Sequence, residues 1–379
     1  MPEHHHERRA LAASACALFL GMLVAPFARA QSSIALYGLV STSLQYVSNV
    51  GGGSQIGLAS GTMQLPRWGI MGREELGDGN AAVFRLENGF NSTNGTLGQG
   101  GRMFGRFAYV GLENARLGSV TLGRQIDEMS AQVSFSEAAS SFGSIGTHIG
   151  DNDNMFLTVR LNNSARYQSP IWRGLSFAAQ YGFSNAASFA RNRAYSIGAS
   201  YQNGPLRAAT ALTQMNAPAV PNVPNGAVDA SNYAYSSPFG KSLAGATATL
   251  QRITGAGATY DAGVVQINAN YTNVLLDYAD GSGLRMQNAE FGLSHHFTPR
   301  LLAGLAHIYS WGRYSKGEQP RWRQIDIGSD YAFSKRTDLF VAAILQWAAG
   351  DARFAQIFGN SASTSKVQTA LEAGMRLKF

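Results

Sequence analysis

The sequence predicts an all-β fold, a transmembrane antiparallel up-and-down β-barrel of sixteen strands. Three observations carry this expectation. Segments with period-two alternation recur from residue 34 to residue 379. Their connections alternate between very short turns and longer loops rich in Gly, Ser and Asn. No stretch after residue 30 holds the roughly 18 continuous apolar residues that a spanning helix needs. A closed barrel satisfies its backbone hydrogen bonds between strands, so it crosses a bilayer without such a stretch.

Residues 1–30 read as a cleavable secretory signal: Arg8 and Arg9 precede an apolar run over 10–27, and Ala28-Arg29-Ala30 supplies small residues around a cleavage site. Cleavage would leave Gln31 first and residues 31–379 as one barrel domain. His4, His5 and His6 and the single Cys16 fall within the signal, so neither a histidine metal site there nor a disulfide is expected in the mature chain. Removing three basic and two acidic residues with the signal leaves 27 basic against 21 acidic, a net +6, too mild to imply a nucleic-acid partner. The full chain has 43 glycines, 20 phenylalanines and 15 tyrosines with only 14 % charged residues, as expected where one strand face meets lipid.

The sixteen expected strands are 34–46, 67–76, 81–90, 102–112, 118–126, 164–170, 175–183, 194–202, 206–215, 255–261, 264–277, 284–297, 301–313, 322–334, 338–349 and 367–379. Gly77-Asp78-Gly79-Asn80, Asn203-Gly204-Pro205, Thr298-Pro299-Arg300 and Lys335-Arg336-Thr337 follow every second strand, which puts them on one side of the membrane. Short turns lie in the periplasm, so the strand number is even and the chain belongs in the outer membrane. The stretch 217–253 is poorly patterned, with room for one further hairpin. In the last strand Leu371, Ala373, Met375, Leu377 and Phe379 share one face, and Glu372, Arg376 and Lys378 the other. Tyr46, Phe90, Tyr109, Phe297 and Tyr331 are placed near strand ends, as interfacial girdles require.

Parity also says which charges meet water. With Trp68 and Ile70 toward lipid, Arg67, Gly69, Met71, Arg73 and Glu75 face the lumen; with Tyr109 outward, Arg102, Arg106 and Ala108 point in. Arg124 and Arg166 fall on the inward sets of their strands. An arginine on the lipid face at mid-membrane costs roughly 2–4 kcal/mol, which favours these placements.

Tyr37-Gly38, Arg67-Trp68-Gly69-Ile70 with Glu75-Leu76-Gly77, Arg106 to Leu112, Gly123-Arg124-Gln125, Asn163-Ser164 with Tyr167 and Pro170, Ser334 to Thr337, and the Arg376 to Phe379 ending occur in that order along the chain. On these residues the chain resembles the Gram-negative general diffusion porins in their betaproteobacterial form. The resemblance implies a homotrimer, each barrel with its own pore, and a third extracellular loop folded inward over 127–162. It implies that barrel-assembly machinery reads the terminal Phe379. Outer-membrane lipid and lipopolysaccharide become expected neighbours, and small ions and solutes the expected cargo. The loop carries Asp127, Glu128, Glu137, Asp151 and Asp153, without the Pro-Glu-Gly-Gly-Glu tip of the enteric version.

Wall arginines opposite loop carboxylates would set a transverse field across a narrow aqueous slot. Arg67, Arg106 and Arg124 are the main candidates, with Arg73 and Arg166 beside them. Pairing with lumenal carboxylates such as Glu75 and Glu87, a purely structural role, competes for each. The basic surplus predicts weak anion preference. A substrate-specific channel is the alternative, but neither an aromatic ladder nor a lysine cluster marks the inward sets. No catalytic group, cofactor or metal site is expected: the mature chain offers only His148, His295, His296 and His307 as imidazoles, and the adjacent pair on a strand points to opposite faces.

Overall fold

The computed structural model describes residues 32–219, 226–233, 235 and 237–379; the expected signal, 1–30, lies outside the described residues. Its first strands are β1 (Ser33–Val50), β2 (Gly53–Ser60), β3 (Arg67–Gly77), β4 (Asn80–Gly89), β5 (Phe107–Asn114), β6 (Gly118–Ile126), β7 (Arg160–Gln168) and β8 (Leu175–Gly182). There follow β9 (Ala194–Asn203), β10 (Leu206–Asn216), β11 (Ala248–Asp261), β12 (Val265–Tyr278), β13 (Gly283–Thr298), β14 (Leu301–Tyr314), β15 (Pro320–Ala332), β16 (Thr337–Gly350) and β17 (Val367–Lys378). Every neighbour pairing is antiparallel, and β1 closes the sheet on β17 from Leu39↔Lys378 to Val47↔Ala370. No helix among the described residues is long and apolar enough to cross a membrane.

Seventeen strands make sixteen staves. Both β2 and β3 pair with the same edge of β1, through Thr42↔Ser60 and Leu39↔Arg67 respectively. Residues 61–66 are looped out between them, pinched at Gly61 (φ +70°), where a Cβ would stand 2.3 Å from Pro66 Cδ. The sixteen alternating segments of the sequence are all present, and β2 extends the second stave. Among its described residues the stretch after β10 adds no further pair of strands; it holds one helical turn, α1 (Ala230–Tyr233), and one antiparallel bridge, Lys241↔Thr247.

The distribution of polarity is inverted relative to a water-soluble domain. On β1, Ile34, Leu36 and Leu44 are exposed while Ser41 and Ser43 are buried. On β12 and β13, Tyr271, Phe291 and Leu293 face outward; Asn268, Asn270, Thr272, Asn288 and Glu290 are buried inside. Pleating puts alternate residues on opposite faces, so each stave offers lipid an apolar row and the lumen a polar one.

Residues 127–159 turn back into the barrel. The segment consists of a single π-helical turn, Met129–Val133, and 3-10 turns Ser134–Ser136, Ala138–Ser140 and Ile149–Asp151. Its polar backbone is satisfied by the inner wall: Asn268 and Asn270 donate to Ser136 O at 2.9 and 3.0 Å, Gln251 donates to Asn152 O at 2.7 Å, and Ala138 N donates to Glu290 at 2.6 Å. At its far reach Ser144 donates to Glu372 on β17 at 2.5 Å. β7 begins at Arg160, so the loop ends three residues before the expected 162.

Candidate functional site: the lumenal slot

One wall of the lumen carries guanidinium groups. Tyr37, Gly69, Glu87 and Phe107 are cross-strand partners on β1, β3, β4 and β5, and therefore share the inner face. Glu87 is fully buried there, and Arg106 Nε and Arg85 Nη2 donate to it at 2.5 and 2.6 Å. Arg85 also donates to the Tyr37 hydroxyl at 2.7 Å and lies 4.0 Å above the Phe107 ring. Arg67 on β3 donates to Leu65 O at 3.5 Å, a weak anchor that leaves most of its donors to the lumen. Arg160, at the start of β7, lines a cavity of about 660 Å³ with Leu65, Gln99 and Thr158, and its Nε and Nη2 make no hydrogen bond within the protein. Four guanidinium groups thus face a single carboxylate.

The loop carboxylates are turned away from these arginines, and all are buried. Asp127 accepts from Thr213 at 2.5 Å and from Asn154 at 3.0 Å. Glu128 holds Arg166 through two bonds of 2.6 and 3.0 Å, so this one expected pair of wall arginine and loop acid is brought together. Glu137 accepts from Thr147 and, at 3.4 Å, from His148 N. Asp151 accepts from the backbone N–H of Phe156 and Thr158 at 2.9 and 3.1 Å. Asp153 accepts from Thr272 at 2.5 Å and contacts His148 Nδ1 at 2.6 Å.

Burial shifts several of these loop groups. It pushes Asp127 up, against the bonds from Thr213 and Ser130. Burial, with the charge of Asp153 adding to it, raises Asp151 to about 7. Burial opposes ionisation of Asp153 too, but His148 outweighs it and holds that carboxyl below its ordinary value.

The remaining expected residues lie elsewhere. Arg73 sits at the short-turn end of β3, half-exposed, and pairs with Glu75 at 2.5 Å and with Glu113. Arg124 is almost completely buried at the loop end of β6, donating to Gly105 O at 2.8 Å and to Asn162 Oδ1. Arg102 precedes β5 and pairs with Asp229. Phe379 lies over Gly38, and the two residues exchange backbone hydrogen bonds of 3.1 and 3.0 Å.

Two parity assignments are corrected: Arg124, expected on the inward set of β6, is the cross-strand partner of Ala108 and falls on the set of the exposed Val120 and Leu122, while Thr121 and Gln125 take the inner set. Tyr109 shares the inner face with Arg85, its partner across β4, and Ala108 faces out. Val110 and Leu112 take the lipid side, both about 60 % exposed, because β5 starts at Phe107 and its register is set by Glu87↔Phe107. Arg106 lies just ahead of the strand and reaches Glu87 from there. Arg85 and Arg160 were not singled out by sequence. Alternation with Phe84 and Leu86 could have marked Arg85; Arg160 carries no such signal, because the loop before it hides where β7 begins.

A closed barrel with a lipid-facing apolar surface and a polar lumen defines an outer-membrane channel through which solutes pass passively, not an enzyme. Residues 12–344 match the family model described as Gram-negative porin. An outer membrane porin protein of Bordetella pertussis is 33 % identical over 296 residues, covering 71 % of this chain and 70 % of that one. The chain belongs to the Gram-negative porin family. Among solved structures, the anion-selective porin from Comamonas acidovorans matches with a TM-score of 0.74 at 22 % identity, over 92 % of this chain and all of that one. The trimer form of OmpT from Vibrio cholerae matches with a TM-score of 0.68 at 13 % identity, over 92 % of this chain and 99 % of that one.

Proposed function

We propose that the channel is weakly anion-selective and that Arg67, Arg85, Arg106 and Arg160 set the preference. The observation that carries this reading is the charge imbalance of the slot: these four arginines surround only Glu87, while the loop acids Asp127, Glu128, Glu137, Asp151 and Asp153 bond to the loop itself or to other strands. Fixed positive charge lining an aqueous constriction raises the local anion concentration. The anion selectivity named for the Comamonas acidovorans porin points the same way. Zero-current potentials of the purified protein in a planar bilayer under a potassium chloride gradient test it. Anion preference that falls in R67A, R106A and R160A supports the assignment; cation preference unchanged by all three overturns it. Block by micromolar solute would instead favour a substrate-specific channel.

The assembly we propose is a homotrimer, supported by the family resemblance and by the trimer form named for OmpT. Residues 1–30 are removed on export in this reading, residues 127–159 form the constriction, and barrel-assembly machinery reads Phe379. Lipopolysaccharide is the expected outer-leaflet neighbour. Arg285, Arg313 and Arg321 line an outward cavity of about 500 Å³ with Tyr309 and Trp311 near the long-loop ends of β13 to β15. None of these three arginines makes an ion pair among the described residues, and their charge suits the phosphates of that lipid.

A further inference from the structure

Two groups on the inward loop and one on the wall converge at a point the channel reading does not use. Glu137, His148 and Glu290 bring one donor atom each to within 4.8 Å of one another, all in fully buried side chains. His148 Nε2 lies 3.2 Å from Glu290 Oε2 and makes no hydrogen bond, and Glu137 Oε2 makes none either. The other ring nitrogen, Nδ1, faces Asp153 Oδ2 at 2.6 Å. A carboxylate there takes the Nδ1 proton as a hydrogen bond and turns the Nε2 lone pair toward the two glutamates. Three electron-pair donors then face one another in a buried space. Among the described residues, His148 is the only cationic partner of Asp153 and Glu290, and Glu137 has no ion pair at all. Buried carboxylates in such surplus need a cation or a proton between them.

We infer that Glu137, His148 and Glu290 form a binding site for a divalent first-row metal ion, of which zinc suits the donor set best. Two carboxylates and one imidazole are ligands of that class, whereas calcium takes six to eight oxygens. Donors about 2.1 Å from one metal and about 100° apart stand about 3.2 Å from each other, the separation found between Nε2 and Oε2. The surrounding shell is in place. Asp153 orients the imidazole in the manner of a carboxylate–histidine–metal relay, and is itself held by Thr272 at 2.5 Å and Asn288 at 3.2 Å. Glu290 is fixed by Ala138 N at 2.6 Å and Asn270 at 3.2 Å. Because Glu137 and His148 belong to the loop and Glu290 to β13, an ion here ties the loop to the wall and fixes the width of the slot. The rival is a shared-proton cluster, with His148 as imidazolium between Asp153 and Glu290.

Metal content and calorimetric titration decide between them. The folded full-length barrel, stripped with a chelator, is titrated with zinc, with manganese and calcium in parallel, and its folding is checked by the gel mobility of the unheated protein. The metal site predicts one zinc per chain. Glu137→Gln and Glu290→Gln, one on each side of the contact, should each weaken binding by about 100-fold or more. Asp153→Asn, which touches no metal, should weaken it by about 10–100-fold while keeping one ion per chain. Folded wild-type protein that takes up no zinc overturns the inference, as does zinc uptake unchanged in both glutamine variants. Should either variant fail to fold, the wild-type stoichiometry and Asp153→Asn still decide.

Discussion

At the residue scale, an arginine's role in this pore follows from how many of its donors the protein uses. Arg73, Arg166 and Arg376 are engaged by carboxylates and hold the wall together. Arg160 leaves Nε and Nη2 without a protein partner beside a large cavity, but its side chain is almost fully buried, so its charge acts on the lumen as a field and not through exposed donors. One unit charge about 6 Å from a permeating ion in water is worth about 0.7 kcal/mol before screening, roughly a threefold change in local ion concentration. R160A should therefore lower the anion-to-cation permeability ratio by about that factor, and E87Q, which removes the one carboxylate among the wall arginines, should raise it by a similar factor. Reversal potentials measured side by side check both signs. A different residue governs pH. The Asp151 carboxyl, raised by burial to about 7 from the usual 3.8, binds its proton more tightly folded than unfolded. Folding stability from this group is present below about pH 4 and is lost as pH rises toward 7. The slope of thermal unfolding temperature against pH across that window should flatten in D151N; an unchanged slope would assign it to other groups.

At the element scale, the staves were legible and the loop was not, for reasons that particular residues show. A strand facing lipid on one side and water on the other writes its period into the sequence, so Leu371 to Phe379 could be read directly, and so could the turns between paired strands. β2 escaped notice because Gly53-Ser54-Gln55 opens it without an apolar row. Tyr109 was misplaced because an aromatic at a strand end was weighed above the plainer alternation of Val110 and Leu112. The loop acids were identified as residues, but their direction is set by partners far away on other strands, such as Thr213 and Thr272, or by the loop's own backbone, such as Phe156 N, which nothing in the sequence marks. What lets the loop lie flat is likewise remote: Gly304 and Gly328, on β14 and β15, accommodate Phe142. A Cβ on Gly328 would stand 1.9 Å from Phe142 O, and one on Gly304 would stand 2.4 Å from the Phe142 ring. Gly328→Ala should push this part of the loop off the wall while the strand itself, whose register is set by neighbours on both sides, persists. Single-channel conductance should rise and protease cleavage within 127–159 should appear. Wild-type conductance with an intact loop would mean that the wall yields instead.

At the scale of the whole molecule, selectivity is a property of the field summed over the slot. Arg67, Arg85, Arg106 and Arg160 come from β3, β4, the segment before β5, and β7, and act together because these staves are neighbours in one stretch of the sheet. Their field reaches a permeating ion through lumenal water, so its range is the Debye length, about 30 Å at 0.01 M salt, 10 Å at 0.1 M and 3 Å at 1 M. At low salt the whole slot lies within reach of every arginine. At 1 M each guanidinium acts only on an ion in contact with it. The anion preference should accordingly be strongest in gradients centred near 0.01 M, and should fall steadily to near-equal permeability as the mean salt approaches 1 M. Conductance at the dilute end should exceed proportionality to bulk salt, because the fixed charge keeps anions in the slot. R67A, R106A and R160A combined should remove both effects. A preference that persists undiminished at 1 M would point to contact recognition of the anion, in which the guanidinium donors touch it directly and bulk salt cannot screen them.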